Sequence, residues 1–209
     1  MVPFLAGDDT EKSDFGGYVE MIQAKPTIFN GRQFRLRMEA RWAVFFDFLH
    51  IEYLYEPAWD AVKVGWAYVN YKPDYFLPAP LALWVEIKPR HIDNLSYLEM
   101  LKTIGWTKEY GSILILVGQP QVPKTNSQEH YLVEDRKGKL VVTDHMWWCE
   151  CPKCGTLGVE HYGGIPAACS TSHYTEEITD LFDNVLPDPD GHKSQRIKRA
   201  YKAARDEKF

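Results

Sequence analysis

The chain has 209 residues, of which 45% are hydrophobic and 14% aromatic, so it can build one sizeable core and is not disordered throughout. Its formal net charge of -5 argues against a protein whose whole surface coats nucleic acid, although a local basic groove is compatible with it. No apolar run approaches the roughly 20 residues of a membrane span, and the first residues lack the pattern of a secretory signal. We therefore expect a cytoplasmic protein without membrane attachment.

The predicted elements begin with a Gly- and Pro-punctuated, irregular lead-in over residues 1–31. A helix is predicted over 33–49, because apolar residues recur there at intervals of three and four. These stripe residues are Phe34, Met38, Trp42, Phe45 and Leu49. Their spacing gives the helix one apolar side, and Glu39 borders that side.

Strands and a second helix follow. The predicted strands are 51–56, 62–71, the runs PDYFL and LALWVEIK, and 112–118. A helix over 94–110 precedes the last strand, with Asp93 or Asn94 as its cap and Gly111 at its end. The order of helix, strands, helix and strand predicts a mixed α/β core that ends near residue 120.

Four further segments are predicted beyond that core. HYLVE and KLVVT form a hairpin around DRKG, and the segment 145–175 holds all four cysteines. A short helix, TEEITDLFDNVL, is followed by the breaker PDPDG and a basic helical tail. We therefore divide the chain into the lead-in, a core over 32–144, the cysteine segment, and a helical tail over 176–209.

Charged residues interrupt the two central strands. Asp74 heads the first of them, and Glu86 and Lys88 lie near the end of the second. Because successive side chains of a strand point to opposite faces, Glu86 and Lys88 share the face of Trp84, while Val85 and Ile87 face the core. If the strands pair side by side, Asp74 lies within a few ångströms of Glu86.

Two adjacent carboxylates repel each other unless a cation neutralises them. A hard divalent ion such as Mg2+ or Mn2+ takes oxygen ligands, which Asp74, Glu86 and the main-chain carbonyl of Ile87 can supply. The ammonium of Lys88 would then orient an attacking water and offset negative charge in a phosphoryl transition state. The plainer alternative is an ion pair between Lys88 and Asp74, with Glu86 solvated at a strand end.

KPDYFLP followed by LWVEIKP resembles the PD-(D/E)xK nuclease superfamily, with Pro73-Asp74 as the PD element and Glu86-Ile87-Lys88 as the ExK element. The resemblance covers about residues 32–120 and is strongest to small proteins of bacteriophages and actinobacteria. It implies a restriction-endonuclease-like α-β-β-β-α-β core with a mixed central sheet. It also implies a nuclease of the bacterial host cytoplasm that needs Mg2+ or Mn2+ and acts on DNA.

In many small members of that superfamily a helical glutamate reaches the metal site, and Glu39 occupies the matching place in RMEARWAVFFD. Its ordinary alternative is an exposed glutamate with Arg35 and Arg37 as neighbours on the same helix. Some relatives also carry a Gln-x-x-x-Tyr motif after ExK. The helix over 94–110 contains no glutamine, so the single-strand-end chemistry of that subgroup is not expected here.

The cysteines predict a zinc-ribbon or knuckle-like module. Cys-x-x-Cys followed by glycine presents two thiolates to one metal, and a second ligand pair some 15 residues later completes a tetrahedron. The expected ligands of a structural Zn2+ are Cys151, Cys154, Cys169 and His173, with Cys149 as the alternative to His173 and His161 as a weaker candidate. The competing explanation is a set of reduced, buried cysteines.

Basic and aromatic residues point to nucleic acid as a partner. The tail contains the basic residues Lys193, Arg196, Lys198, Arg199, Lys202 and Arg205. Helical spacing puts several of them on one side, where they could follow phosphates, and a solvated terminal helix is the equal alternative. Exposed tryptophans could stack on bases, although most are expected in the core. DNA is therefore the expected partner of a nuclease, and a catalytically inactive binding module for nucleic acid or protein is the alternative. The sequence leaves the oligomeric state open, a homodimer included.

Overall fold

The computed structural model describes residues 26–57, 60–64, 66–89, 97–122, 130–161, 166, 169 and 194–209. In these ranges the protein is mixed α/β. Its helices are α1 (Arg37–Leu49), α2 (Tyr97–Tyr110) and α3 (Gln195–Asp206). Its strands are β1 (Thr27–Phe29), β2 (Arg32–Phe34), β3 (Leu54–Tyr55), β4 (Asp60–Val64), β5 (Ala67–Tyr71), β6 (Tyr75–Leu77), β7 (Leu83–Lys88), β8 (Ile113–Val117), β9 (His130–Arg136), β10 (Lys139–Glu150) and β11 (Leu157–His161).

A seven-stranded mixed sheet organises the molecule in the order β11-β10-β9-β8-β7-β6-β3. β7 and β8 are parallel, and the other neighbours in this sheet are antiparallel. The parallel pair is joined through α2, as a parallel connection requires a crossover. Two smaller antiparallel sheets, β1-β2 and β4-β5, complete the described strands.

The sheet carries a core on each face, and β8 contributes to both. Leu114 and Leu116 belong to a core formed with α1 and α3, whereas Ile113 and Ile115 belong to a core formed with α2 and the β4-β5 hairpin. All five residues of β8 are buried. An unbroken apolar strand is what a position covered on both faces requires, so the predicted buried strand over 112–118 is confirmed.

Three predicted elements need correction. The predicted helix over 33–49 begins only at Arg37, because residues 32–34 pair with β1 as β2. The single strand predicted over 62–71 is wrong. It is a hairpin of β4 and β5 with Trp66 in its turn, paired with Val62 opposite Val69. The strand predicted over 51–56 is reduced to Leu54–Tyr55.

The helix predicted in the C-terminal tail is present as α3, and it packs on α1. Ile197, Ala200 and Tyr201 are buried against the core, and Arg196 Nη2 donates to the main-chain oxygen of Leu49 at 2.6 Å. The short helix predicted before it lies outside the described residues. No helix in the described part of the chain has the length and apolar character needed to cross a membrane.

The cysteine segment is continuous with the main sheet. β10 runs from Lys139 to Glu150, across the predicted boundary at residue 145, and β11 pairs with it at the sheet edge. The predicted hairpin around DRKG is confirmed as the β9-β10 turn. The first cysteines are therefore held by the last strands of the core sheet.

Candidate functional site

Three buried acids surround the place where β6 and β7 meet the start of α1. Glu39 is 2% exposed, Asp74 3% and Glu86 7%. Tyr75 of β6 pairs with Val85 of β7, so the next step of this antiparallel register sets Asp74 opposite Glu86. Carboxylates are rarely this buried unless they are paired or bind a cation, so the position demands partners for them.

Asp74 is held through both of its oxygens. The main-chain N–H of Ile87 donates to Oδ2 at 2.7 Å, and Arg35 Nη2 donates to Oδ1 at 2.6 Å. Asp74 thus bridges the end of β7 and the segment that leads into α1. The bond to Ile87 is also the reason why the proline-led Asp74 turns toward the sheet.

Glu86 has two oxygens in different surroundings. Oε1 lies 2.8 Å from Nζ of Lys88, which shows that these two side chains share one side of β7. Oε2 is buried and makes no hydrogen bond of good geometry within the described residues, while the nearby hydroxyl of Tyr71 lowers the pKa of the Glu86 carboxyl against the larger, raising effect of burial. A buried carboxylate oxygen without a well-formed hydrogen bond is costly, so this atom marks the point where the site requires a proton or a cation.

Glu39 joins the cluster from α1. Its Oε2 accepts a hydrogen bond from the Tyr55 hydroxyl at 2.6 Å and one from the main-chain N–H of Leu36 at 3.2 Å. Its Oε1 lies 3.6 Å from Arg35 Nη2. Glu39 therefore both caps the first turn of α1 and faces the guanidinium of Arg35, which also binds Asp74.

Sequence reasoning missed the ion pairs that close the site. Arg35 Nε lies 2.5 Å from Glu56 Oε1, and Lys72 Nζ lies 2.5 Å from Glu56 Oε2. Arg35 precedes Glu39 by four residues and was expected as its neighbour, but its pairing with Asp74 and Glu56 was not. Glu56 and Lys72 flank the β4-β5 hairpin and become neighbours only because that hairpin folds back.

Burial raises the pKa of Asp74 well above its ordinary value, and the nearby charges of Glu86 and Glu39 raise it further. Burial also raises the pKa of Glu86, although the adjacent ammonium of Lys88 opposes that shift. Both shifts mean that the ionised carboxylates are insufficiently stabilised by the protein alone. A cation bound at their oxygens would reverse them.

The carboxylates do not form a tight ligand cage. Among the described residues, the only three His, Cys, Asp or Glu side chains whose ligand atoms all lie within 4.8 Å of one another are cysteines. Glu39, Asp74 and Glu86 are spread more widely, and the guanidinium of Arg35 contacts the first two. The predicted catalytic residues are thus gathered in one cluster, with Arg35 as the cation on Asp74.

The cysteine cluster consists of Cys151, Cys154 and Cys169. A tight turn holds the first two: Gly155 N–H donates to the Cys151 carbonyl at 2.9 Å, and Cys151 N–H donates to the Thr156 carbonyl at 2.8 Å. Cys154 Sγ lies 3.4 Å from Cys169 Sγ. Three converging thiols can bind a soft metal such as zinc.

Two other predicted zinc ligands are not in this cluster. Cys149 is fully buried on β10, where burial raises the pKa of its thiol. His161 lies at the end of β11 with Nε2 3.9 Å from Asp144 Oδ1. The preferred fourth ligand, His173, lies outside the described residues.

Within the described residues, most tryptophans are buried, Trp84 is partly buried and Trp66 is exposed. Trp42, Trp106 and Trp148 are at most 1% exposed, whereas Trp66 is 97% exposed. Trp42 donates from Nε1 to the Gly118 carbonyl at 3.0 Å, so it serves the core. Trp66 is the described tryptophan that is free to stack on a ligand.

Comparisons with protein-family models, with curated proteins and with solved structures find no match to this chain. The chemistry of its own side chains is therefore the basis for inferring its function. That chemistry joins buried carboxylates, one of them with an oxygen that lacks a well-formed hydrogen bond, to an ammonium and a guanidinium at the surface.

Proposed function

We propose that this chain is a divalent-metal-dependent nuclease that hydrolyses phosphodiester bonds in DNA. The observation that carries the proposal is the buried Oε2 of Glu86, which lacks a well-formed hydrogen bond, lies opposite Asp74 and is beside the ammonium of Lys88. An oxygen-lined position next to a cationic side chain is the arrangement that metal-assisted phosphoryl transfer uses.

The residues fit a hard divalent cation in their chemistry. Glu86 Oε2 and the carboxylate of Asp74 are oxygen donors with raised pKa values, and the Ile87 carbonyl is the third donor that we assign to the site. Mg2+ or Mn2+ bound there would supply a Lewis acid and a water deprotonated at neutral pH. Arg35, whose side chain is 54% exposed, would release Asp74 when a cation takes its place.

Each polar side chain then has a task. Lys88 holds the attacking water and stabilises negative charge as a bond forms between water oxygen and phosphorus. The ester P–O bond breaks in the same step, the leaving oxygen takes a proton from solvent to become the hydroxyl end, and the phosphate end keeps the oxygen of the attacking water. Arg35 binds a phosphate oxygen of the substrate once it leaves Asp74, and Tyr55 keeps Glu39 turned toward the cluster.

The order of elements supports this proposal. α1, β3, β6, β7, α2 and β8 follow one another as helix, three strands, helix and strand, which is the order expected of a PD-(D/E)xK core. The β4-β5 hairpin is an insertion into that order. Membership of the superfamily and a restriction-endonuclease-like core are part of the proposal.

The second candidate function is a binding module without catalysis, and a specific contact favours it. Arg35 already neutralises Asp74 at 2.6 Å and Glu56 at 2.5 Å, which is how a structural ion-pair network satisfies buried acids. In this alternative the cluster fixes the start of α1, and nucleic acid is bound elsewhere on the surface.

A cleavage panel separates the two candidates. Circular plasmid, linear duplex, single-stranded DNA and RNA are incubated with the protein in Mg2+, in Mn2+ and in EDTA. We expect metal-dependent cleavage that falls by at least about 100-fold in Lys88→Ala and Glu86→Gln, since each removes a group acting in the transition state. Lys139→Ala, which removes an exposed lysine of β10, is the matched control and should cleave normally.

Binding without cleavage, unchanged by Lys88→Ala, would establish the non-catalytic module instead. The role of the Arg35 ion pair is tested with the variant Arg35→Ala, whose substrate binding and melting temperature are measured alongside the wild type. In the enzyme this variant weakens substrate binding, whereas in the binding module it chiefly lowers the melting temperature.

A further inference from the structure

The β4-β5 hairpin carries an exposed aromatic tip. Lys63 of β4 pairs with Tyr68 of β5, and Trp66 lies in the turn two residues before Tyr68. Trp66 is 97% exposed and Tyr68 68% exposed. Lys63 is also exposed and forms no ion pair within the described ranges. Two large apolar rings and one unneutralised cation thus share the outer end of a single hairpin.

The base of this hairpin is fixed to α2 by three contacts. The Tyr110 hydroxyl donates a hydrogen bond to Asp60, and the ring of Tyr71 meets that of Trp106 edge-on at 5.5 Å. Val62 is fully buried against Gly105, where an added Cβ would lie 3.0 Å from the Lys63 carbonyl. A hairpin held this firmly at its base keeps its tip in a defined direction.

The hairpin leads directly into the acidic cluster. Its last residue, Tyr71, is buried, and burial followed by the charge of Glu86 raises the pKa of its hydroxyl. Lys72 then pairs with Glu56, and Asp74 comes two residues later. β5 has five residues, which span about 17 Å at roughly 3.3 Å each. The tip therefore lies within a few nucleotides of the cluster.

The chemistry of the tip favours unpaired bases as its ligand. A base presents its flat face only when it is not stacked within a duplex, and an exposed indole ring is suited to that face. The neighbouring ammonium of Lys63 suits the phosphate that accompanies each base. A duplex presents phosphates and groove edges instead, and the indole ring of Trp66 interacts only weakly with these groups.

We propose that Trp66, aided by Tyr68 and Lys63, stacks on the unpaired bases of a single-stranded nucleic-acid segment and guides that strand to the site at Asp74 and Glu86. The guiding step rests on the proposed nuclease function, whereas the stacking step does not. The substrate class would accordingly be a nucleic acid with a single-stranded stretch beside the bond that is cut.

The test measures binding of the full chain in EDTA by fluorescence anisotropy, with labelled 20-nucleotide dT and U strands and a 20-base-pair duplex. We expect Trp66→Ala to weaken single-strand binding about five- to 150-fold, the loss of one stacked base, while Trp66→Phe retains most of the affinity. Duplex affinity should change less than twofold. Ile28→Ala, which removes another large exposed apolar side chain, is the control and should change neither.

The outcomes divide cleanly. Single-strand binding that depends on Trp66 supports the inference, and the ratio of the dT and U affinities then shows whether DNA or RNA is preferred. Equal weakening for duplex and single strands, or no weakening, overturns it. A change of sedimentation mass in Trp66→Ala with unchanged affinity also overturns it, because the tip would then join two copies of the chain.

Failure of the proposed nuclease is distinguishable. Trp66-dependent binding without metal-dependent cleavage leaves the stacking inference standing and removes the nuclease. If cleavage is lost in Lys88→Ala while Trp66→Ala cleaves and binds like the wild type, the nuclease function is supported and the stacking inference is overturned.

Discussion

At the scale of single residues, the cluster is defined by which oxygens of Asp74 and Glu86 have partners. Asp74 has both oxygens bonded, to Ile87 and to Arg35, whereas Glu86 has one bonded to Lys88 and one without a well-formed hydrogen bond in the described residues. The two acids therefore respond differently to protons and metal. Glu86 keeps one oxygen without a well-formed hydrogen bond, and an oxygen of Asp74 becomes free only when Arg35 moves.

The raised pKa of Asp74 gives a pH dependence of defined sign. Its folded pKa lies above the unfolded value of about 4, so the folded state binds more protons between these values and stability falls as pH rises through that window. We expect Asp74→Asn to remove part of this fall, up to about 1.4 kcal/mol per pH unit for one titrating group. The measurement is the difference in unfolding free energy between wild type and Asp74→Asn from pH 5 to pH 8, in EDTA.

Mn2+ serves as the control for that prediction. Because a bound cation stabilises ionised Asp74, it should raise the melting temperature of the wild type more at pH 8 than at pH 5, and should do so less in Asp74→Asn. A wild type that loses stability relative to Asp74→Asn as pH falls would contradict the assignment.

Whether a contact in this site could be predicted from the sequence depends on how many residues separate its two partners along the chain. Glu86 and Lys88 are two residues apart on one strand, so the period of a strand was enough to bring them together. Arg35 and Asp74 are separated by 39 residues, and their pairing depends on how α1 crosses the sheet. No local pattern contains that information, which is why the pairing of Arg35 with Asp74 and Glu56 was missed, although Arg35 was expected beside Glu39.

At the scale of elements, the β4-β5 hairpin shows where local pattern reading fails. Residues 62–71 have the β-branched and aromatic composition of a strand except at Gly65, and this glycine next to Trp66 is the turn signal that the strand prediction passed over. The fold is decided by α2, which packs against Val62 and Tyr71 from opposite strands. By contrast, β8 was predicted within one residue at each end because its burial on both faces leaves an unbroken apolar run.

The close contact at Gly105 predicts an inverted response to a helix-favouring substitution. Gly→Ala inside a helix ordinarily stabilises by about 0.5–1 kcal/mol. Here the added Cβ would lie 3.0 Å from the Lys63 carbonyl and 3.1 Å from Val62 Cβ, so β4 must shift. We expect Gly105→Ala to destabilise by about 1–3 kcal/mol in urea unfolding.

The same variant should also disturb the hairpin tip, since β4 carries Lys63 into place. Single-strand binding in EDTA is therefore expected to weaken in Gly105→Ala at temperatures where the variant remains folded. A stability equal to or above that of the wild type would show that the hairpin is not seated on α2 as described.

At the scale of the whole molecule, the cysteine cluster closes one edge of the sheet. β10 and β11 converge on the turn that holds Cys151 and Cys154, and Cys169 is brought to it from beyond β11. The sequence predicted these three ligands because cysteine spacing is local. It did not predict that β10 extends the core sheet into this segment. β10 joins that sheet through β9, and β9 pairs with β8 across the connection of residues 118–129, which no local pattern relates.

Zinc binding at this edge predicts a selective loss. We expect the purified protein to hold one equivalent of zinc, and Cys154→Ser to lose it together with several degrees of melting temperature, because structural zinc contributes to folding. Cys149→Ala is the matched control, since this thiol lies outside the cluster. Zinc content is measured by atomic emission, and retention in Cys154→Ser with loss in Cys149→Ala would reverse the ligand assignment.

The packing of α3 on α1 has a consequence for synthesis of the protein. The bond from Arg196 to the Leu49 carbonyl joins residues 147 apart, and α3 supplies Tyr201 to the core that α1 helps to form. During translation, the part of α1 that α3 covers therefore stays exposed until α3 has left the ribosome, even if the sheet has already packed against the rest of α1. A nascent chain would accordingly hold Glu39 in an incompletely packed helix until α3 has docked.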